Sequence, residues 1–193
     1  MITSLYAPPM RSAPNPLLTS LRTATKTRHD VLDRSMPLAR PNPNWSDYLE
    51  HLHLLFAWLQ PIENLLSTFS DGPQSATAPK LIRYSDIIHK DLGIFFQPHE
   101  SQHLPWPHIN DAAYRWGVCY VVEGSQLGGE FLYKRLAQSL SPHELIYLQR
   151  KEPGRWPAFL NHMSAELTTL EQIDKACTGA MDAFDALLMR LPQ

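Results

Sequence analysis

Apolar side chains along this chain recur every three or four residues, the spacing of helices, and not every second residue as in strands. Between residue 17 and about residue 34, Leu18, Leu21, Thr25, His29 and Leu32 fall on one stripe, and Asn15-Pro16 offers a cap and a first helical position. Pro37, Pro41 and Pro43 then break the chain. A second helix starts near Trp45, carries Leu49, Leu52, Phe56 and Leu59, and is expected to bend at Pro61. After the Asp71-Gly72-Pro73 loop, a third helix spans about Leu81 to Leu92 and stops at Gly93. Pro98, Pro105 and Pro107 exclude one regular helix over residues 94 to 109.

Asp111 opens a long helix reaching about Leu140. Ser141-Pro142-His143-Glu144 has the form of a capping box with proline at its first helical position, which predicts a short helix directly after it. Pro153-Gly154 turns the chain, and Trp156-Pro157 starts a last pair of helices bearing Leu160, Met163, Leu167, Met181, Phe184, Leu187 and Leu188. No alternating stretch with turn residues marks a sheet, and no internal repeat is visible. The expected fold is all-α: a single-domain helical bundle over residues 17–193, preceded by a flexible proline-rich extension, residues 1–16.

Composition narrows the class. A chain of 193 residues is long enough to bury roughly 70% of its extended surface as one domain. A formal net charge of −2 gives no general reason to bind nucleic acid or an acidic membrane. Cys119 and Cys177 are too few for a disulfide framework. No signal peptide and no membrane-spanning run is evident, so a soluble cytoplasmic protein is expected.

Candidate chemistry concentrates in two stretches. Gly117, Gly124, Gly128 and Gly129 interrupt the long helical run, although glycine inside a helix costs roughly 1 kcal/mol relative to alanine. The first three are spaced i, i+7, i+11 and share a face, a bare stripe on which something flat can lie. Close helix packing through small residues would account for Gly124 and Gly128, but less well for adjacent Gly128-Gly129, which invites a kink. Ser125 adds a hydroxyl beside the stripe that can hold water. The second stretch surrounds His29. A lone histidine on an apolar face is ordinarily a core or rim residue, and Arg22, Lys26 and Arg28 could form a solvated face. Together, an imidazole pointing into a cavity with Arg22 and Lys26 beside its mouth suits a ligand with a metal centre and carboxylate edges.

Leu21-Arg22-Thr23-Ala24-Thr25-Lys26-Thr27-Arg28-His29 resembles the haem-ligating first helix of heme oxygenases. Glu123-Gly124-Ser125-Gln126-Leu127-Gly128-Gly129 is similar to their distal helix in its bacterial form. Order, separation and helical content agree over about residues 17 to 190. The resemblance implies that His29 is the proximal iron ligand and that Gly124, Ser125, Gly128 and Gly129 cover the distal haem face. It makes Arg22, Lys26, Tyr114 and Lys134 propionate candidates. Where the animal enzymes have a distal aspartate, this chain places Ser125. The implied reaction converts haem, which is both substrate and cofactor and brings the iron, to biliverdin, carbon monoxide and free iron. Dioxygen and electrons from a separate reductase or ferredoxin are the other reactants, and a biliverdin-using photoreceptor is the downstream recipient the resemblance suggests. Glycines over the iron would steer bound oxygen toward a meso carbon, and an absent acid or imidazole on the stripe fits ring oxidation.

Other readings compete. His99-Glu100-Ser101-Gln102-His103 matches H-E-x-x-H, but flanking prolines disfavour the continuous helix a zinc site needs. Glu50/His53 and Glu100/His103 give two Glu-x-x-His spacings without the further carboxylates of a di-iron bundle. The five tryptophans suit packing and rim positions. The runner-up function is a non-catalytic haem carrier or sensor using the same pocket.

Overall fold

The computed structural model describes residues 15–98, 106–149 and 152–191. Among them lie seven α-helices and no strand: α1 (Pro16–Ser35), α2 (Trp45–Leu66), α3 (Tyr84–Leu92), α4 (Ala112–Leu136), α5 (Ile146–Gln149), α6 (Arg155–Glu166) and α7 (Leu170–Leu188). The all-α expectation therefore holds. The first fourteen residues of the expected extension, and the whole His99–His103 motif, lie outside the described residues.

Local chemistry explains most boundaries. The Asn15 side chain accepts from Leu17 N, with Pro16 at the first position of α1, and Asn44 with Asp47 forms a capping box on α2. Asp111 accepts from Ala113 N and Tyr114 N to start α4. Gly93, at φ 49°, ends α3. Pro61 does not end α2, which continues to Leu66. Proline cannot bond the carbonyl four residues earlier, and Arg190 Nε donates to that Ala57 carbonyl at 3.0 Å instead.

Two expectations need correction. The helix after Ser141-Pro142-His143-Glu144 does not start there: α4 ends at Leu136, His143 stacks on Trp45 at 3.9 Å between ring centres, and α5 begins only at Ile146. Its amide at Tyr147 is bonded by the carboxylate of Asp91, 56 residues away in sequence, at 2.8 Å. Likewise α3 starts at Tyr84 and not near Leu81, because buried Glu63 of α2 accepts from Tyr84 N at 2.7 Å and Ser85 N at 3.2 Å. Remote carboxylates satisfy the free amides that local caps would otherwise bind.

The core is organised around α7, which packs most extensively on α4 and next on α1. Gly117 of α4 sits directly against the backbone of α7: a Cβ there would overlap the Ala176 carbonyl. Reciprocally, a Cβ on Gly179 of α7 would overlap the Tyr114 carbonyl. Gly117 is thus a packing glycine, and the expected three-glycine ligand face is shortened to its second half. Replacing Gly117 with alanine should cost about 3 kcal/mol through overpacking. Gly128→Ala, where a Cβ meets no atom within 4 Å, should raise free-protein stability by about 0.5–1 kcal/mol. Urea denaturation of both variants checks this; equal effects would contradict the packing.

Candidate functional site

α1 and α4 run beside each other as the long walls of a cleft of about 870 Å³. At one end Arg22 of α1 lies against the Tyr120 hydroxyl of α4. At the other, Arg135 of α4 donates to the Leu38 carbonyl at 2.6 Å and the Arg40 carbonyl at 3.2 Å, just beyond α1. The floor is formed by His51, Leu55 and Trp58 of α2, Phe184 and Leu187 of α7, and Tyr147 and Leu148 of α5. Trp58 is pinned by its indole N–H donating to the Ala183 carbonyl at 3.0 Å, and α1 is tied to α7 by Arg28, whose Nε and Nη2 each reach Asp185 at 2.8 Å. That bidentate pair fixes geometry as well as adding energy.

His29 lines the cleft from α1, its side chain 60% exposed. Its Nδ1 is 2.9 Å from Asp33 Oδ2, one turn on, which leaves Nε2 as the nitrogen available to a ligand. Phe184 lies tilted beside the imidazole, 6.0 Å between ring centres. Arg22 and Lys26 line the same wall, and Lys26 holds Asp30 at 2.7 Å. Opposite, Gly124, Ser125, Gly128 and Gly129 line the α4 wall. A Cβ on Gly124 would touch Trp156 at 3.5 Å, one on Gly129 would touch Leu148 at 3.7 Å, and Gly128 faces open space. Ser125 Oγ donates to the Val122 carbonyl at 2.7 Å, and Gln126 Nε2 donates to Ser125 Oγ at 3.1 Å and to the Tyr147 hydroxyl at 3.0 Å. Burial pushes Tyr147 up to about 12, so it stays a neutral hydroxyl.

Seven of the residues singled out in the sequence therefore meet in one cleft: Arg22, Lys26, His29, Gly124, Ser125, Gly128 and Gly129. Tyr114 and Lys134 do not. Tyr114 lies under α7, fully buried, with its hydroxyl donating to Asp182 at 2.7 Å. Lys134 is six residues past Gly128, which turns it about 240° round the helix, and it pairs with Glu130 at 3.0 Å on the outer surface. The Glu50/His53 pair is engaged by other partners. Glu50 pairs with Arg40 at 3.0 Å, His53 Nδ1 lies 2.8 Å from the Leu49 carbonyl, and His53 Nε2 accepts from Gln97 N at 3.2 Å. Among the described residues no group of three or more metal-binding side chains occurs.

Sequence reasoning missed Asp33, His51 and Trp156. Asp33 was findable from its i+4 spacing to His29, and His51 from its place among Leu52 and Leu55 on the apolar face of α2. Trp156 carries no local signal: it reaches Gly124 because its neighbour Arg155 is bound by Glu123 of α4, at 2.7 Å through Nε and 2.5 Å through Nη2. Of the tryptophans, Trp58 and Trp116 are buried and Trp156 lies on the cleft wall.

The class of the protein is an all-helical bundle with a cleft between an imidazole-bearing helix and a glycine-bearing helix. The family model for heme oxygenases matches residues 15–191, and the chain belongs to that family. It is 34% identical to the heme oxygenase of Xanthomonas campestris pv. campestris (strain 8004) over 101 residues, which is 50% of this chain and 60% of that relative's length. The fold is that of the crystallised NO- and CO-bound heme oxygenase of Neisseria meningitidis, with a TM-score of 0.74, 23% identity, and coverage of 90% of this chain and 89% of that one.

His51 generates a stability prediction. Burial pushes its imidazole down to about 4, whereas the unfolded chain titrates near 6.5. The unfolded state therefore takes up the proton first as pH falls. Stability owed to neutral His51 is complete above pH 6.5 and is lost as pH drops toward 4, up to about 3 kcal/mol in all. The stability of wild type minus that of His51→Phe, from urea denaturation, should fall by about that amount between pH 7 and pH 4. A constant difference would contradict it.

Proposed function

We propose that this chain degrades haem: it holds haem in the α1–α4 cleft and, with dioxygen and electrons from a separate reductase or ferredoxin, opens the ring to biliverdin, carbon monoxide and iron. The observation carrying this is the pair of walls: His29, oriented by Asp33, faces a helix whose Gly128 leaves open space. A cleft of about 870 Å³ lies within the roughly 300–1,000 Å³ typical of ligand pockets. Haem supplies the redox-active iron and the carbon skeleton that is oxidised.

The protein's own groups then do the following. His29 Nε2 would hold the haem iron, and the Asp33 carboxylate, 2.9 Å from Nδ1, would accept from Nδ1–H, fix the tautomer and make the ring a better donor. Arg22 and Lys26 hold the two carboxylates at the cleft rim, Lys26 exchanging its partner Asp30 for a propionate. Gly124, Gly128 and Gly129 would let the ligand approach the α4 backbone, with open space at Gly128 for a small molecule such as dioxygen. Ser125, Gln126 and Tyr147 form a neutral hydrogen-bonding cluster beside them, able to order water without presenting a charged acid. Among the described residues no helix is long and apolar enough to cross a membrane. A cytoplasmic site of action, where reductants are available, completes this reading, and biliverdin is a product a bilin-binding photoreceptor would accept.

Purified protein with hemin should give a one-to-one, histidine-ligated ferric spectrum. With reductant, air and catalase it should bleach the haem band and yield biliverdin. His29→Ala should abolish the histidine-ligated spectrum, and Asp33→Ala should weaken haem binding about tenfold and lower the iron–imidazole stretching frequency in resonance Raman. Gly128→Leu, which fills the open space, should slow ring oxidation while hemin still binds. Binding without bleaching across several electron donors would favour a carrier, and an unchanged spectrum in His29→Ala would overturn the ligand assignment.

A further inference from the structure

One polar side chain of the cleft floor has no partner in the protein. His51 is 6% exposed, and its Nδ1 is sealed from solvent without a hydrogen bond. Polar groups beside it in the cleft are satisfied: Thr25 Oγ1 donates to the Leu21 carbonyl at 2.8 Å, and Tyr147 accepts from Gln126 at 3.0 Å. The other buried side-chain atom without a partner among the described residues, Trp116 Nε1, lies away from the cleft. An unpaired buried imidazole costs stability that a phenylalanine in the same space would not. Its presence on the floor points to a polar atom that arrives with the ligand.

Position along the cleft restricts which atom. Arg22 and Lys26 mark the end beside Tyr120, and in the haem-degrading reading they hold the carboxylates there. His51 stands toward the opposite end, one turn beyond Asp47, which pairs with Arg40 where Arg135 closes the walls. With its carboxylates at the cations, haem presents to His51 an edge of methyl, vinyl and meso carbons, with no hydrogen-bonding atom. Ring opening changes that edge, because excision of a meso carbon leaves a lactam on each flanking pyrrole.

We propose that His51 is a product-recognition residue, whose imidazole hydrogen-bonds a lactam group of the ring-opened tetrapyrrole and has no partner while the ring is closed. A lactam offers a carbonyl acceptor and an N–H donor, so either tautomer of a neutral imidazole finds its complement. Burial keeps that imidazole neutral. The inference rests on the haem-degrading reading, and it requires the ring to open on the edge remote from the carboxylates.

The test measures hemin and biliverdin binding to the full chain, by absorbance and fluorescence quenching. His51→Phe should bind hemin within about twofold of wild type but biliverdin about tenfold more weakly, the worth of one net hydrogen bond. His51→Asn, which returns a donor and an acceptor near Nδ1, should recover most of the loss. A His51→Phe variant that binds biliverdin like wild type, or loses both ligands equally, would overturn the role of His51. Wild type that fails to bind hemin would instead overturn the haem-degrading reading itself. A readout that needs no folded phenylalanine variant is the imidazole ¹⁵N resonance of His51 in wild type, assigned by its absence from His51→Asn. It should move when diamagnetic biliverdin is added, and an unmoved resonance would sink the proposal.

Discussion

The arrangement depends on how closely α4 and α7 approach. Gly117 and Gly179 remove the two side chains that would hold these helices apart, and each backbone rests on the carbonyl of the other. Ala176, Ala180 and Ala183, all fully buried, continue the small-residue seam. Such contact maximises dispersion across the pair and fixes its register, because a one-residue slip would press a larger side chain into a carbonyl. Everything bordering the cleft is then referred to α7. Asp185 receives Arg28 of α1, the Ala183 carbonyl receives Trp58 of α2, and Phe184 stands against His29. The positions of the His29 wall and the floor are therefore consequences of a contact that touches no ligand.

Buried carboxylates fix the remaining elements at a distance. Glu63 starts α3, Asp91 starts α5, and Glu123 binds both Arg155 of α6 and the Tyr84 hydroxyl of α3, the latter at 3.0 Å. Burial raises the affinity of Glu63 and Asp91 for a proton, while the amides and hydroxyls they accept from oppose that. Breaking one partner of a buried ion pair such as Glu123–Arg155 typically costs about 3–5 kcal/mol. Here the loss would also free Trp156 from Gly124. Glu123 thus shapes the cleft although it does not line it.

Helix type, order and the two cleft walls were legible because they are written locally: apolar spacing, Asn15-Pro16, Asp111, and the short stretches around His29 and Gly124. What escaped was nonlocal. The starts of α3 and α5 are set by carboxylates 21 and 56 residues away, and a local box at Ser141 loses to the Asp91 cap. Tyr114 resembled a ligand contact because its helix is the right one, yet α7 covers that turn. Identical residue types on one stripe also received one role in the sequence, whereas the structure gives Gly117 to packing and Gly124 and Gly128 to the cleft.

That division shows how one helix serves two ends. The first half of α4 needs glycine so that α7 can approach, and in the proposed reading the second half leaves room for the ligand. Only the second use leaves space, and space in a helix wall is a stability deficit: the free protein carries Gly128 without the contacts a side chain would make. His51 adds an unpaired imidazole to the same cleft. Cations stand at the rim and a neutral polar group lies on the floor, so charge can orient an entering ligand while the interior distinguishes it by shape and hydrogen bonding. Locally unfavourable choices that cluster around one cavity, in a bundle otherwise capped and packed, are what a site shaped for its ligand should look like.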